Sequence, residues 1–408
     1  MTKTKGFSKS TNQPKNLGNK LPTNDIKSLS EINYSLSSFI ETIPDPRVQR
    51  TQKHIFKDIL IIAILAVIGG AEGWEDMENY GKAKKKWLEE FLELPNGIPS
   101  DDTFRRLFER INPNALEQCL EKWIQSIASS LEGEVVPIDG KCIRGSYDRN
   151  KGHKALHVVT AWASEQRLTL GQVKVDESSN EITAIPALLE LLDITGAIIT
   201  IDAMGTQTNI VKLIREKKAD YIVSLKGNNP TLFSQVKEWF KKTREEKFEG
   251  VEYDWDSTIE KGHNRTEKRQ IWAVPLKAFG DLHGGERWAG LQTIVMVERT
   301  RHLWNKTTKE TQFYLTSLPP NARIIGRAIR KHWTIENQVH WILDVTFRED
   351  ECRIRSRSGA QNVSILRKLA LNALNQEKTL KRSLKQKRKH ASMNDDYMIA
   401  VLNSFCQP

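Results

Sequence analysis

Paired cysteines are missing from this sequence. Its four cysteines, Cys119, Cys142, Cys352 and Cys406, are scattered through 408 residues. No spacing suits a zinc knuckle or a disulfide scaffold, so a reducing, cytoplasmic setting is expected. Long apolar runs are missing too. The longest, Ile59 to Ala71, is closed off by Asp58 and Glu72 and falls well short of the roughly 20 residues that a membrane span needs. A buried core helix is expected there, and no membrane partner. The polar, Lys-rich start carries no readable secretory leader, and no internal repeat stands out. Acidic residues are the minority: 51 Asp+Glu face 62 Lys+Arg, a formal net charge of +11. That excess favours a polyanionic partner without naming one.

What is present divides the chain by pattern. Residues 1–30 read as a disordered basic tail. Residues 31–130 read as helical, with Ser100 or Asp101 capping the helix that contains Phe104. This block suits either a DNA-binding unit or a supporting layer. From Glu134 the period changes. Short apolar strands at 135–138, 155–163, 168–175, 197–201 and 221–225 alternate in their second half with helices near 185–192 and 209–217. That order gives an α/β class with a mixed sheet flanked by helices. Residues of about 228–318 are polar and dotted with Trp239, Trp255, Trp272, Trp288 and Trp304, and read as a β-rich insertion. One long helix is expected from about Ala322 to Leu343 and a second from about Ala360 to Asn375. Residues 377–408, with the basic run Lys378 to His390, read as a basic C-terminal tail, solvated or touching DNA.

Two apolar strands end in an aspartate, at Ile138-Asp139-Gly140 and Ile201-Asp202-Ala203. Parallel neighbours in a sheet present such ends side by side. Two carboxylates there repel, and a hard divalent cation relieves the repulsion. Each aspartate taken alone is equally at home as a turn or capping residue. Pro137 argues against a central strand unless it opens one. The helix from Ala322 offers a third carboxylate. His332, Glu336 and His340 fall on one face, with Trp333, Asn337 and Trp341 beside them. Asp344 and Glu349 compete with Glu336 for the third role, and a zinc site from the two histidines and Glu336 is a further option. Basic residues accompany these acids as candidate phosphate clamps: Lys141, Arg144, Lys226, His263, Arg265, Arg269, His332, Arg353 and Arg355.

At these residues the sequence resembles the DDE transposases of bacterial insertion sequences, in the group of the H-repeat-associated proteins. The resemblance rests on Ile138 to Ser146, Thr200 to Gln207, Ser224 to Asn228 and His332 to Asp350, with Pro44 to Phe104 similar to that group's helical N-terminal module. It covers about residues 36–375. It implies a ribonuclease H-like catalytic domain over 131–376, holding the insertion, after a transposase-associated helical domain. It implies catalytic, metal-holding acids at Asp139, Asp202 and Glu336, with Mg²⁺ as cofactor and Mn²⁺ as a substitute. It also implies DNA partners (terminal inverted repeats and target DNA), a homo-oligomer on DNA and a nucleoid-associated bacterial setting. The chain departs from related transposases in two places. A Tyr, Arg, Glu, Lys signature around the third acid is replaced by Ile329, His332, Glu336 and Leu343. Asn264 stands where a glycine is expected.

The expected reaction is metal-dependent cleavage at an element end, freeing a 3′-OH that then attacks target DNA. Three other readings stay open: a non-mobile nuclease, a nucleotidyltransferase using Lys141 as nucleophile, and a degenerate transposase that binds DNA without cutting it.

Overall fold

The computed structural model describes residues 28–148, 152–176, 179–262 and 265–406. Ser28 starts helix α1 (Leu29–Ile40). Its hydroxyl accepts from the Glu31 N–H, and the Glu31 carboxylate accepts in turn from the Ser28 N–H at 2.7 Å. This reciprocal cap satisfies two donors that a helix start leaves unpaired. The tail expected over 1–30 otherwise lies outside the described residues.

Helix α2 (Phe56–Gly69) is apolar on every side, and Asp58 to Ile68 are buried. Such a helix must be surrounded. Helices α3 (Trp74–Ala83), α4 (Lys85–Leu88), α5 (Asp101–Phe108) and α6 (Pro113–Ile127) complete the N-terminal block. No helix among the described residues is long and apolar enough to cross a membrane.

The sheet follows. Its strands and the helices between them are β1 (Val135–Ile143), β2 (Leu156–Ala163), β3 (Leu168–Lys174), α7 (Glu181–Leu191), β4 (Ile198–Ile201), α8 (Thr208–Glu216), β5 (Asp220–Leu225), α9 (Pro230–Glu245), β6 (Asp254–Gly262), β7 (Arg265–Pro275), β8 (Thr293–Leu303) and β9 (Thr307–Thr316). The spatial order is β3-β2-β1-β4-β5-β9-β8-β7-β6. β1, β4 and β5 run parallel, while β2 and β3 are antiparallel to their neighbours. This is the mixed sheet flanked by helices that the sequence led us to expect. The β-rich insertion is not a separate layer: β9 pairs with β5, so its four strands lengthen the same sheet. It also opens on a 16-residue helix, α9.

Two strand readings need correction. β1 does not end at Asp139. It continues to Ile143 in antiparallel register with β2. Pro137 sits within it, in register with Thr200 of β4. The Val135 carbonyl accepts from Ser164 next to β2, and the Glu134 carbonyl accepts from Ile198 of β4. By alternation the position of Pro137 faces β2, where the ladder starts only at Ile138, so the missing donor interrupts nothing.

Both sheet faces are covered. On one face Val136, Ile138, Ile199, Ile201 and Val223 join the core shared with the N-terminal helices. On the other, helix α10 (Ala322–His332) packs Ala322, Ile325, Ala328 and Ile329 over Val135, Ile198, Ile222 and Ile271. The single helix expected over 322–343 is interrupted. α10 stops at His332, a π-helical turn spans Glu336–His340, and α11 (Trp341–Val345) follows.

The C-terminal segment is also corrected. After α12 (Arg357–Gln376) the expected tail folds into α13 (Leu384–Met393) and α14 (Asp395–Leu402). Lys387 and Arg388 are buried because backbone carbonyls satisfy their charged heads. Lys387 Nζ donates to Leu374 O at 3.0 Å and pairs with Glu377 at 3.1 Å. Arg388 donates to Val67 O, at the end of α2, at 2.8 Å and lies 4.0 Å over the Phe347 ring. Phe405 stacks on Trp123 of α6 at 4.4 Å. The last helices therefore close the wall around the first ones.

Candidate active site

Register brings the two aspartates together. β1 and β4 are parallel with Ile138 opposite Ile201, so Asp139 and Asp202 are the next residues on adjacent strands. Side chains alternate along a strand. Val135 and Ile198 lie beneath α10, so Asp139 and Asp202 point to that same face. Glu336 arrives there from above, on the π turn beyond α10. All three carboxylates line one pocket of about 210 Å³, with Lys226, His332 and Trp333.

Each carboxylate is held differently. The Asp139 Oδ1 accepts from its neighbour's N–H, Gly140, at 2.9 Å. The Asp202 Oδ1 accepts from Met204 N at 2.9 Å and Gly205 N at 3.3 Å, a local turn that fixes the carboxylate at the strand end. Glu336 is exposed, and its Oε2 lies 3.1 Å from His340 Nδ1. The same nitrogen is 3.6 Å from Asp139 Oδ2. One ligand atom each from Asp139, Glu336 and His340 lies within 4.8 Å of the others. Asp202 stands outside that closest set.

The electrostatics call for a cation. Burial, with the charges of Glu181, Asp202 and Glu336, pushes the Asp139 carboxyl up to about 7 against the Gly140 N–H. Burial holds the His332 and His340 imidazoles below their ordinary value, so neither supplies reliable positive charge. A hard divalent ion fits this oxygen-rich set.

The rivals for the third acid are engaged elsewhere. Lys141 Nζ lies 2.5 Å from Asp344, 3.2 Å from Glu349 and 3.5 Å from Asp350. Histidine pairing separates as well: His332 Nδ1 sits 3.0 Å from Thr200 Oγ1, away from the Glu336–His340 pair. The zinc option built on both histidines is therefore not assembled.

The family model described as Transposase DDE domain matches residues 130–373, and one described as DDE_Tnp_1-associated matches 37–124. The chain belongs to the DDE transposase family. It is 39% identical over 374 residues to the Escherichia coli O157:H7 protein named "Putative transposase YncI", across 91% of this chain and 95% of that one. It is 37% identical over 373 residues to "H repeat-associated putative transposase YhhI" of Escherichia coli K12, across 90% and 97%. Among solved structures it is similar to a cryo-EM structure of the piggyBac transposase synaptic complex with hairpin DNA. That match has a TM-score of 0.41 and 12% identity, over 92% of this chain and 79% of that one.

In this DDE transposase-family chain the basic residues scatter. Lys226 follows β5 and reaches the pocket of the acids, as does His332. Lys141 is overturned as a phosphate clamp: its side chain is only 6% exposed and is neutralised by three carboxylates. The same burial and pairing disfavour it as a nucleophile. Arg144 is open to solvent in the turn after β1. Arg265 is exposed at the start of β7. Arg269 pairs with Glu267 and lines an open basic groove of about 780 Å³ with Arg299, Arg301, Arg327, Arg330 and Trp333. Arg353 is exposed, and Arg355 lies against a separate pocket with His157 and Lys174. His263, with Asn264, lies outside the described residues. At the two departures from the family signature, Leu343 is a core residue, 0% exposed, and Ile329 is 9% exposed, on the packed side of α10 and bordering the pocket of the acids.

The sequence did not single out Glu181, whose charge acts on Asp139. Nor did it place Gly145. A Cβ on Gly145 would meet the Cys352 carbonyl oxygen at 2.3 Å and that of Asp350 at 2.7 Å. Both are backbone atoms that cannot swing aside. Gly145→Ala is therefore expected to cost about 1–3 kcal/mol, read as a lowered urea midpoint at unchanged slope.

Proposed function

We propose that this chain cuts DNA at the ends of an insertion-sequence element and joins the freed 3′-OH to target DNA, with Asp139, Asp202 and Glu336 holding Mg²⁺ or Mn²⁺. The observation that carries this reading is the convergence of three carboxylates from β1, the end of β4 and the π turn on one pocket. Divalent cations bound there supply activation of the attacking oxygen and stabilisation of the leaving one. The chain's own residues do the positioning. β1 and β4 hold two carboxylates on a rigid, doubly covered sheet. His340 steadies the exposed Glu336, and Lys226 supplies a positive charge at the pocket wall. The groove of Arg299, Arg301, Arg327 and Arg330 leads away from Trp333, which it shares with the pocket. It suits a phosphate backbone, with binding that weakens steeply as salt rises. Joining two ends calls for more than one copy on the DNA.

The test is nicking of supercoiled plasmid carrying the element ends, in Mg²⁺ or Mn²⁺. Asp139→Ala, Asp202→Ala and Glu336→Ala are each expected to lower the rate by about a thousandfold or more, because residues acting as a unit fail together. Mutants that cut like wild type would overturn the site. DNA binding without cutting by wild type would favour the degenerate reading.

A further inference from the structure

Resting on that metal reading, we propose that His340 is a ligand of the ion held by Asp139 and Glu336, and that its nitrogen makes the site prefer Mn²⁺ over Mg²⁺. The closest set of potential ligand atoms in the described residues joins two carboxylates to this imidazole, without Asp202. His340 is 5% exposed, so its ring is fixed by packing. Nδ1 is the nitrogen turned to the carboxylates, 3.1 Å from Glu336 and 3.6 Å from Asp139. Nε2 is buried with no hydrogen-bond partner, so nothing on the far side of the ring accounts for a histidine here. An apolar side chain would fill the space without leaving that atom unsatisfied.

The backbone adds a second observation. Glu336 and His340 are the two ends of the only π-helical turn among the described residues. π turns are rare and cluster at functional sites. Here the turn sets a carboxylate and an imidazole side by side over the strand that carries Asp139. The donor chemistry then separates Mn²⁺ from Mg²⁺. Mg²⁺ keeps to oxygen ligands and near-ideal octahedral geometry. Mn²⁺ shares that taste for oxygen, but as a first-row transition ion it loses less than Mg²⁺ does when one donor is an imidazole nitrogen.

The experiment loads the full chain with Mn²⁺ alone and reads ¹⁴N coupling by pulsed EPR. Coupling from a bound imidazole is expected in wild type and in His332→Gln, and is expected to vanish in His340→Gln. Mn²⁺ titration should show His340→Gln binding Mn²⁺ about tenfold more weakly or worse, by the scale of lost supporting ligands. Mg²⁺ affinity, read by competition, should change much less. Mn²⁺ bound in wild type and lost in Asp139→Ala, but with no nitrogen coupling, overturns the inference and leaves the three-carboxylate reading standing. Coupling that disappears in His332→Gln also overturns it. If wild type binds no Mn²⁺, both readings fail. The wild-type and His332→Gln spectra decide the matter even if His340→Gln does not fold.

Discussion

Asp139→Asn is expected to stabilise the metal-free chain progressively as the pH rises, even as it abolishes cleavage. The Asp139 carboxyl is raised to about 7 by burial first, then by Glu181, Asp202 and Glu336. In an unfolded chain the same group titrates near 3.8. Between those values the folded state holds a proton that the unfolded state has released. Stability therefore falls as pH rises through this window and levels off above about 7. At about 1.4 kcal/mol per unit, the full cost approaches about 4 kcal/mol, an upper bound for a group that keeps some solvent contact. Asparagine keeps the shape and removes the charge. The gap between mutant and wild type should widen by about 2–3 kcal/mol from pH 5 to pH 7 in EDTA, by urea denaturation. Glu117 is also raised to about 7, but it is present in both proteins and cancels. Adding Mn²⁺ should restore wild type and leave the mutant unmoved. Parallel pH curves for the two proteins would sink the argument.

Lys141→Met is expected to unfold the chain more readily by about 3–5 kcal/mol, because it strips a buried counter-charge from buried acid. Glu349 is fully buried. Burial alone would raise its carboxyl, yet Lys368, Lys141 and Arg367 outweigh that and hold it below the ordinary range. Lys141 lies 3.2 Å away, and Arg367 at 3.9 Å remains after the substitution, which favours the lower end of the figure. Lys141→Met combined with Glu349→Met should recover much of the loss, since apolar replacement of a whole buried pair is often neutral. A single mutant within about 0.5 kcal/mol of wild type, the range of ordinary surface changes, would show that the pair holds nothing. The pair joins β1 to the segment after α11, so it also fixes the strand of Asp139 against the turn of Glu336.

Much of the sheet and site could be read from the residues. Short β-branched runs closed by Asp139 and Asp202 announced adjacent parallel strands. The all-apolar stretch after Asp58 announced a core helix. The failures share a physical cause: pattern reports what a side chain prefers, whereas partners far along the chain decide its fate. Lys141 reads as a clamp beside Asp139, but three acids more than 200 residues later turn it inward. Lys387 and Arg388 sit in a run that reads as solvated, but carbonyls of Leu374 and Val67 accept them. Helical periodicity put His332, Glu336 and His340 on one face. The helix breaks at Trp333, before the π turn, so His332 and Glu336 both face the pocket while His340 meets Glu336 from within the π turn.

The wall that α13 closes around α2 has a consequence for how the protein is made. Val67 and its partner Arg388 are 321 residues apart (388 − 67). At about 5–20 residues per second, roughly 15–65 s pass between their synthesis. Throughout that interval α2 emerges as an apolar helix without its final cover, a stretch on which chaperones can act. The pocket of carboxylates also stays incomplete for most of that period, since Glu336 is made late and the helices after it later still. A chain cut short before α13 is therefore expected to leave α2 uncovered and to aggregate rather than fold.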